Sequence, residues 1–347
     1  MNAAEPRNAY DSQFYEFLSE TARRSARRLI PVLLERLTPT SVVDVGCGTG
    51  AWLSCFKEFG VDDVSGLDGG YFAHDKLEFP VQRYREVDLS RPFETTRTYD
   101  LAISLEVAEH LPEASADGFV ESLTRLAPVV LFSAAIPGQG GAHHVNEQWP
   151  EYWAERFARH GFVPVDCLRP RVWRDAEVAW WYAQNTLLFC RSDWLAGNLS
   201  LSQEAERRRG EPLSLVHPRK YLATLWEVEL VRQAAAVARA VPPGAPFILV
   251  DDGALGSRCG ELAIPFPERD GVYFGRPADD EDALGEYQRL KDAADYLVVT
   301  PTGRWWLDYY AGWSCRLRRE HPVVFEGDEL VVFDLRKDLP SAAGVAP

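Results

Sequence analysis

Residues 42–50 read VVDVGCGTG, and the helical pattern GAWLSCFKEFG follows at once. This junction constrains the fold more than any other stretch. A buried β-branched strand must enter a turn so tight that glycine alone tolerates its backbone, and a helix must leave directly. Gly46, Gly48 and Gly50 also let the main chain approach a ligand with no Cβ between them. Short β-rich runs follow at DVSGLD (63–68), QRYREVD (82–88), YDLAISLE (99–106) and PVVLFSAA (128–135). Helical patterns separate them, at SADGFVESLTRLA and at NEQWPEYWAERFARHGF, where Trp149, Trp153 and Phe157 fall at i, i+4 and i+8. PVDCLRP and NTLLFCRS add two further strands. Ahead of the glycine loop, 12–37 reads as an amphipathic helix, with Phe14, Phe17, Leu18, Leu29, Leu33 and Leu37 near helical spacing and Pro39 as the stop. The alternation predicts an α/β fold: a doubly wound, mostly parallel, seven-stranded sheet covered on both faces.

A chain of 347 residues is long enough for two domains. Residues 195–216 are polar and rich in Arg and Glu, and are expected to be a linker. A long helical pattern runs from Pro218 to Ala240. Strands and helices then alternate again: FILVDDG (247–253), DEDALGEYQRLKDAA (280–294), DYLVVT (295–300), a Trp-rich helix from Arg304, PVVFEGD (322–328) and LVVFDLR (330–336). The expected division is a first domain over 1–194, the linker, and a smaller α/β domain over 217–347. The net charge is −15, from 37 basic and 52 acidic residues, so no broad cationic face is available for nucleic acid or anionic membrane. No stretch approaches the roughly 18 apolar residues of a membrane span. The six cysteines form no CxxC pair, which argues against a zinc ribbon or disulfide framework and for a reducing cytoplasm. The N-terminus has no apolar run behind basic residues, as a signal peptide would need.

Three acids stand in order along the successive strands. Asp44 precedes the glycine loop by two residues. Asp68 ends the second strand, where a carboxylate can accept two ribose hydroxyls. Asp88 ends the third, within reach of an adenine amino group. The glycine spacing departs from the Gly-x-Gly-x-x-Gly of dinucleotide binders, which leaves a nicotinamide dinucleotide as the second choice of ligand. Over about residues 40–192 the set resembles the class I S-adenosylmethionine-dependent methyltransferases. The resemblance implies a Rossmann-like, seven-stranded methyltransferase domain. It also implies that Gly46, Gly48, Gly50, Asp68, Asp88 and Leu89 contact the cofactor, and that Leu105 and Glu106 face its methionine part.

The fourth strand ends SLEVAEHLP (104–112), where Glu106, Glu109 and His110 are spaced i, i+3, i+4 and share a face if the turn is helical. Beyond the fifth strand, IPGQGGAHHVNEQWPEYW (136–153) reads as a flexible glycine-rich approach carrying His143 and His144. Two carboxylates and two imidazoles suit Mg, Mn, Fe or Zn. The arrangement resembles two metal-dependent branches of the family, the ubiquinone-pathway O-methyltransferases and the small-RNA 2′-O-methyltransferases. That resemblance implies Glu106, Glu109, His110 and His144 as metal ligands. A metal-free site with His143 or His144 as general base stays open, as does a structural role. Between the last two strands, VWRDAEVAWWYAQN (172–185) offers Trp173, Trp180, Trp181 and Tyr182 to an acceptor, with Arg171 and Arg174 beside them. The C-terminal unit loosely resembles α/β modules appended to bacterial glycosyltransferases. The expected activity is therefore O-methylation of a saccharide or other polyhydroxylated small-molecule acceptor in glycan or natural-product biosynthesis. The alternatives are an RNA 2′-O-methyltransferase and a non-catalytic cofactor-binding scaffold.

Overall fold

The computed structural model describes residues 12–70, 76–94, 96–337 and 339, with 12–18 as backbone alone. The expected apolar positions Phe14, Phe17 and Leu18 therefore lie outside the described side chains. The chain forms two compact units, 1–221 and 222–347.

In the first unit, α1 (Ser12–Leu34) is followed by β1 (Ser41–Val45), α2 (Ala51–Glu58), β2 (Asp63–Asp68), β3 (Tyr84–Glu86) and β4 (Leu101–Leu105). Then come α3 (Ala116–Leu126), β5 (Val129–Ser133), α4 (Pro150–Arg159), β6 (Phe162–Val165), α5 (Arg169–Val172), α6 (Trp180–Asn185) and β7 (Leu187–Arg191). The sheet order is β3-β2-β1-β4-β5-β7-β6, parallel except for β7, which is antiparallel to both neighbours. The central strands are apolar at every position but one or two because both faces are covered. Val42, Leu101, Ile103, Val129 and Leu131 face Leu29, Ile30, Leu33, Leu53 and Phe56. Their neighbours Val43, Val45, Ala102, Val130 and Phe132 face Phe119, Leu123, Trp153 and Phe157 on the other side. Alternation at period two thus feeds two separate cores.

Two expectations need correction here. The first helix ends at Leu34, three residues short of Leu37, although Leu37 is still buried. The linker expected over 195–216 is folded onto the first unit. It contributes α7 (Ser192–Ala196) and α8 (Leu199–Arg207), and Leu201 is completely buried in the α1 and α2 core. Asn198 caps α8, accepting from the Leu201 amide at 3.1 Å. The following strap is fastened as well. The Leu213 and Ser214 amides donate to Glu151 at 3.0 and 2.9 Å, and buried Arg169 donates to the Leu213 carbonyl at 2.7 Å. The Arg and Glu content that suggested a solvated linker lies along α8, where a largely buried Glu204 pairs with Arg207 and Arg208.

The division between units falls inside α9 (Pro218–Ala240), which has the expected bounds. The second unit continues with β8 (Phe247–Val250), β9 (Ala263–Pro265), β10 (Glu268–Arg269), β11 (Val272–Tyr273), α10 (Asp280–Leu290), β12 (Tyr296–Val299), α11 (Trp306–Tyr309), α12 (Ala311–Glu320), β13 (Val323–Glu326) and β14 (Val331–Asp334). Its five-stranded sheet has the order β13-β14-β12-β8-β9, with β12, β8 and β9 parallel and the last two strands an antiparallel pair. The Trp-rich stretch supplies its core, where Trp306 and Trp313 are fully buried with Phe266 and Tyr310.

Candidate active site at the carboxyl ends of the first sheet

Open α/β sheets bind ligands outside the carboxyl ends of their strands, where the strand order reverses. In the first sheet that point lies between β1 and β4. A cavity of about 360 Å³, lined by Phe93, Arg97, Ser122 and Arg125 among others, lies at the opposite edge, by the amino ends of β4 and β5.

The glycine loop leaves β1 with Gly46, Gly48 and Gly50 at φ 84°, 52° and 90°, all in the left-handed region. The three have different neighbours. A Cβ on Gly46 would stand 2.4 Å from the Val107 side chain, and one on Gly50 would stand 2.2 Å from the Phe79 ring. A Cβ on Gly48 would meet nothing. Two glycines are therefore demanded by packing, and the middle one faces open space. The Gly48 amide donates to Asp68 Oδ2 at 2.8 Å, and the Gly69 amide donates to Oδ1 at 2.6 Å. Burial pushes the Asp68 carboxyl up, and these two amides pull it back. Asp44 is almost fully buried at the end of β1. Burial first, then the charge of Asp68, push its carboxyl well above the ordinary range. Asp88 lies two residues past β3, exposed, and its Oδ1 accepts from the Ser90 amide at 3.0 Å. Ser90 holds its carboxyl below the ordinary value. Leu89 is buried beside it, and Leu105, the last residue of β4, is buried too.

The turn after β4 is not α-helical. Glu106 takes a left-handed conformation at φ 57°, and a 3₁₀ turn follows over Ala108–His110. A left-handed non-glycine residue is strained and persists where its surroundings hold it. Here the Glu106 amide donates to the Ser133 carbonyl at 3.0 Å and to Ser133 Oγ at 3.1 Å. Its carboxylate accepts from Gln139 Nε2 at 2.8 Å and from Asn185 Nδ2 at 3.0 Å. The kink breaks the helical face that Glu106 was expected to share, although its carboxyl still acts on Glu109. Glu109, His110 and His144 do converge, with one ligand atom of each inside 4.8 Å of the others. Glu106 is not in that group.

Glu109 is completely buried, and among the described residues neither of its oxygens has a hydrogen-bond partner of good geometry, although the main chain at Glu109 and Ala135 and the Glu106 carboxyl stand near it. Burial, then repulsion from Glu106, push its carboxyl well up. A buried carboxylate without partners costs several kcal/mol, and a cation beside it removes that cost. The donor set of one carboxylate and two imidazoles suits a divalent transition ion. His110 reaches solvent, yet desolvation of its ring, then the neighbouring His144, lower its pKa. The two imidazoles meet edge to face at 4.9 Å. The other histidine, His143, is exposed at φ 59° and stands outside the converging group.

Several residues at this edge have no readable spacing in the sequence. Gln139, Gln184 and Asn185 are buried amides that form one network. Asn185 Nδ2 and Gln184 Nε2 both donate to Gln139 Oε1, at 2.9 and 3.4 Å. The visible hint was a pair of amides, Gln184 and Asn185, set directly before an apolar strand. The glycine-rich piece around Gln139 is not loosely held. The Gly138 and Gly140 amides both donate to Glu147, at 2.7 and 2.8 Å. Of the aromatics expected to face an acceptor, Tyr182 is buried edge-on against Trp52 at 5.3 Å. Trp173 packs on His217 at 4.7 Å, and Trp180 and Trp181 are half-buried. Arg171 is paired with Glu35 at 3.0 Å.

Residues 17–172 match a family model described as a methyltransferase domain. No curated protein matches the chain. Among solved structures it is similar to the methyltransferase domain of bacterial CtHen1, at 21% identity and a TM-score of 0.35, covering 48% of this chain and 97% of that one. It is also similar to the sugar N-methyltransferase KedS8 of a Streptoalloteichus species, at 16% identity and a TM-score of 0.41, covering 55% and 98%. A third is the magnesium protoporphyrin IX methyltransferase of Synechocystis with bound S-adenosylhomocysteine, at 17% identity and a TM-score of 0.38, covering 55% and 90%. The glycine loop and the ordered acids lie inside the matched stretch, and residues 17–172 are a methyltransferase domain.

Proposed function

We propose that the chain methylates a hydroxyl of a polyhydroxylated small molecule, such as a saccharide, and that Glu109, His110 and His144 hold a divalent cation beside the acceptor. The observation that carries this reading is Glu109, which is fully buried beside two imidazoles with no well-formed hydrogen bond among the described residues. The cofactor supplies an electrophilic methyl on a sulfonium. A divalent cation supplies Lewis acidity toward an acceptor hydroxyl, lowering its pKa.

The protein's own residues divide the remaining work. Gly48 gives the backbone a face that a cofactor can approach, since no Cβ fills that space. Asp68 has an acceptor site left on each oxygen after its two amide bonds, and these suit ribose hydroxyls. Asp88 sits past β3 for the adenine, with Leu89 packed beneath, and Leu105 borders the methionine end. Glu106 keeps its strained position through Asn185 and Gln139, which holds the end of β4 in place. Neighbouring hydroxyls on one acceptor would present two oxygens to the group at Glu109. The acidic chain, at −15, favours such an acceptor over RNA.

The test is turnover by metal-stripped protein on polyhydroxylated acceptors, with mass spectrometry for a methyl increment. Chelator is expected to abolish turnover, and added divalent ion to restore it. Full activity in metal-free protein would end the cation reading and favour His144 as a plain base.

A further inference from the structure

His144 sits in a socket. Its Nδ1 lies 2.8 Å from Glu147 Oε1. An ionised carboxylate only accepts, so the proton of this bond sits on Nδ1, which in the neutral ring leaves Nε2 its lone pair. The same Glu147 oxygen accepts from the Gly140 amide at 2.8 Å, and its other oxygen accepts from the Gly138 amide at 2.7 Å. One side chain thus ties the ring and the turn 138–140 to a single anchor. Gly141 closes the opposite side. A Cβ placed on it would stand 2.3 Å from His144 Nε2 and 2.5 Å from Cε1. The Gly141 backbone is not left-handed, and the three atoms nearest to such a Cβ all belong to the His144 ring.

We propose that Glu147 and Gly141 are positioning residues for His144: the carboxylate fixes its tautomer and ring plane, and the glycine keeps space open at Nε2. The inference rests on the reading of Glu109, His110 and His144 as a cation site and adds what arms that site. It explains why a glutamate stands three residues after the histidine. It also explains why the turn is glycine at 138, 140 and 141. The left-handed φ of 75° and 71° at Gly138 and Gly140 lets both amides reach one carboxylate, and the missing Cβ at Gly141 clears the imidazole. Outer partners of metal-bound histidines commonly act in this way, and losing one weakens metal binding about 10–100-fold.

The experiment is titration of cobalt(II) into the metal-stripped full chain, followed by the visible absorption of the bound ion. S-adenosylmethionine affinity and thermal melting serve as checks on folding. Wild type is expected to bind one ion. Glu147→Ala is expected to weaken binding about 10–100-fold with cofactor affinity unchanged. Glu147→Gln should fall between, because its amide group opposes one of the donors that the carboxylate accepts. Gly141→Ala should weaken cobalt binding by a similar factor with Glu147 intact, through the Cβ alone. If wild type binds cobalt and both Glu147→Ala and Gly141→Ala bind it equally well, the positioning role is overturned. If wild type binds none, the cation reading itself fails and this inference goes with it. If Glu147→Ala does not fold, Glu147→Gln and Gly141→Ala decide by the same criterion.

Discussion

Asp44 is a carboxylic acid nearly sealed in the sheet next to a second one, Asp68. Its folded pKa is raised, first by burial and then by that neighbour. An acid whose folded pKa lies above the unfolded value of about 3.9 is most at ease protonated. Its contribution is fully present below about pH 3.9 and is lost as pH rises through the folded value. Asp44→Asn is therefore expected to raise Tm at pH 7.5, and the gain should vanish near pH 4. Thermal melts of both proteins across that range check it, and equal melts throughout would contradict the burial argument. Asp68 makes the complementary case. It is tied to the loop by two amides and still has acceptor capacity. Asp68→Ala is expected to weaken S-adenosylmethionine binding by about 1.5–3 kcal/mol, as loss of charged acceptors does. Calorimetry measures this directly, and unchanged affinity would remove Asp68 from the cofactor site.

At the level of elements, α8 shows how a helix can hide in a polar stretch. It buries one leucine, Leu201, and shows Arg and Glu elsewhere. Leu201→Ala is expected to cost about 2–5 kcal/mol, the usual range for emptying a filled core position. A denaturant titration would show it, and a change below about 0.5 kcal/mol would mean that α8 is not part of the core. The central strands were legible because β-branched runs covered on two faces leave few other structures. The long helix Pro218–Ala240 was legible because a proline opens it and VPPG closes it. The linker reading failed because composition records the outer face of a helix and misses one buried side chain. The shared face of Glu106, Glu109 and His110 failed for a different reason. Periodicity assumes an α-helix, and the chain instead bends at Glu106, with φ 57°, before a 3₁₀ turn. The amide network of Gln139, Gln184 and Asn185 had no readable spacing, since its members come from the loop after β5 and from the end of α6.

For the whole molecule, the bounds of the two units decide which fragments can stand alone. The first unit extends to Tyr221. A fragment ending at residue 194 would lose Leu201 and also the Leu213 carbonyl that buried Arg169 donates to. It is expected to be unstable or aggregated. A fragment ending at 221 keeps both, along with the His217 amide that donates to buried Gln184 at 2.8 Å. That fragment is expected to fold and to bind S-adenosylmethionine within a few-fold of the full chain. Circular dichroism melts and calorimetry on the two fragments check this. Equal stability of the shorter one would contradict the assignment of 195–217 to the first unit. Loss of cofactor binding by a folded 1–221 fragment would mean that the second unit contributes to the cofactor site.

The account turns on Glu109, a fully buried carboxyl with no well-formed hydrogen bond among the described residues. Gln is close to it in size and removes the charge while leaving the glycine loop and Asp68 untouched. The most direct measurement is the rate of methyl transfer by Glu109→Gln at saturating S-adenosylmethionine, acceptor and divalent ion, compared with wild type. The expected result is a fall of at least about a hundredfold, the scale reached by losing even an outer partner of a metal ligand. A rate within a few-fold of wild type would contradict the claim that Glu109, His110 and His144 hold the cation that activates the acceptor.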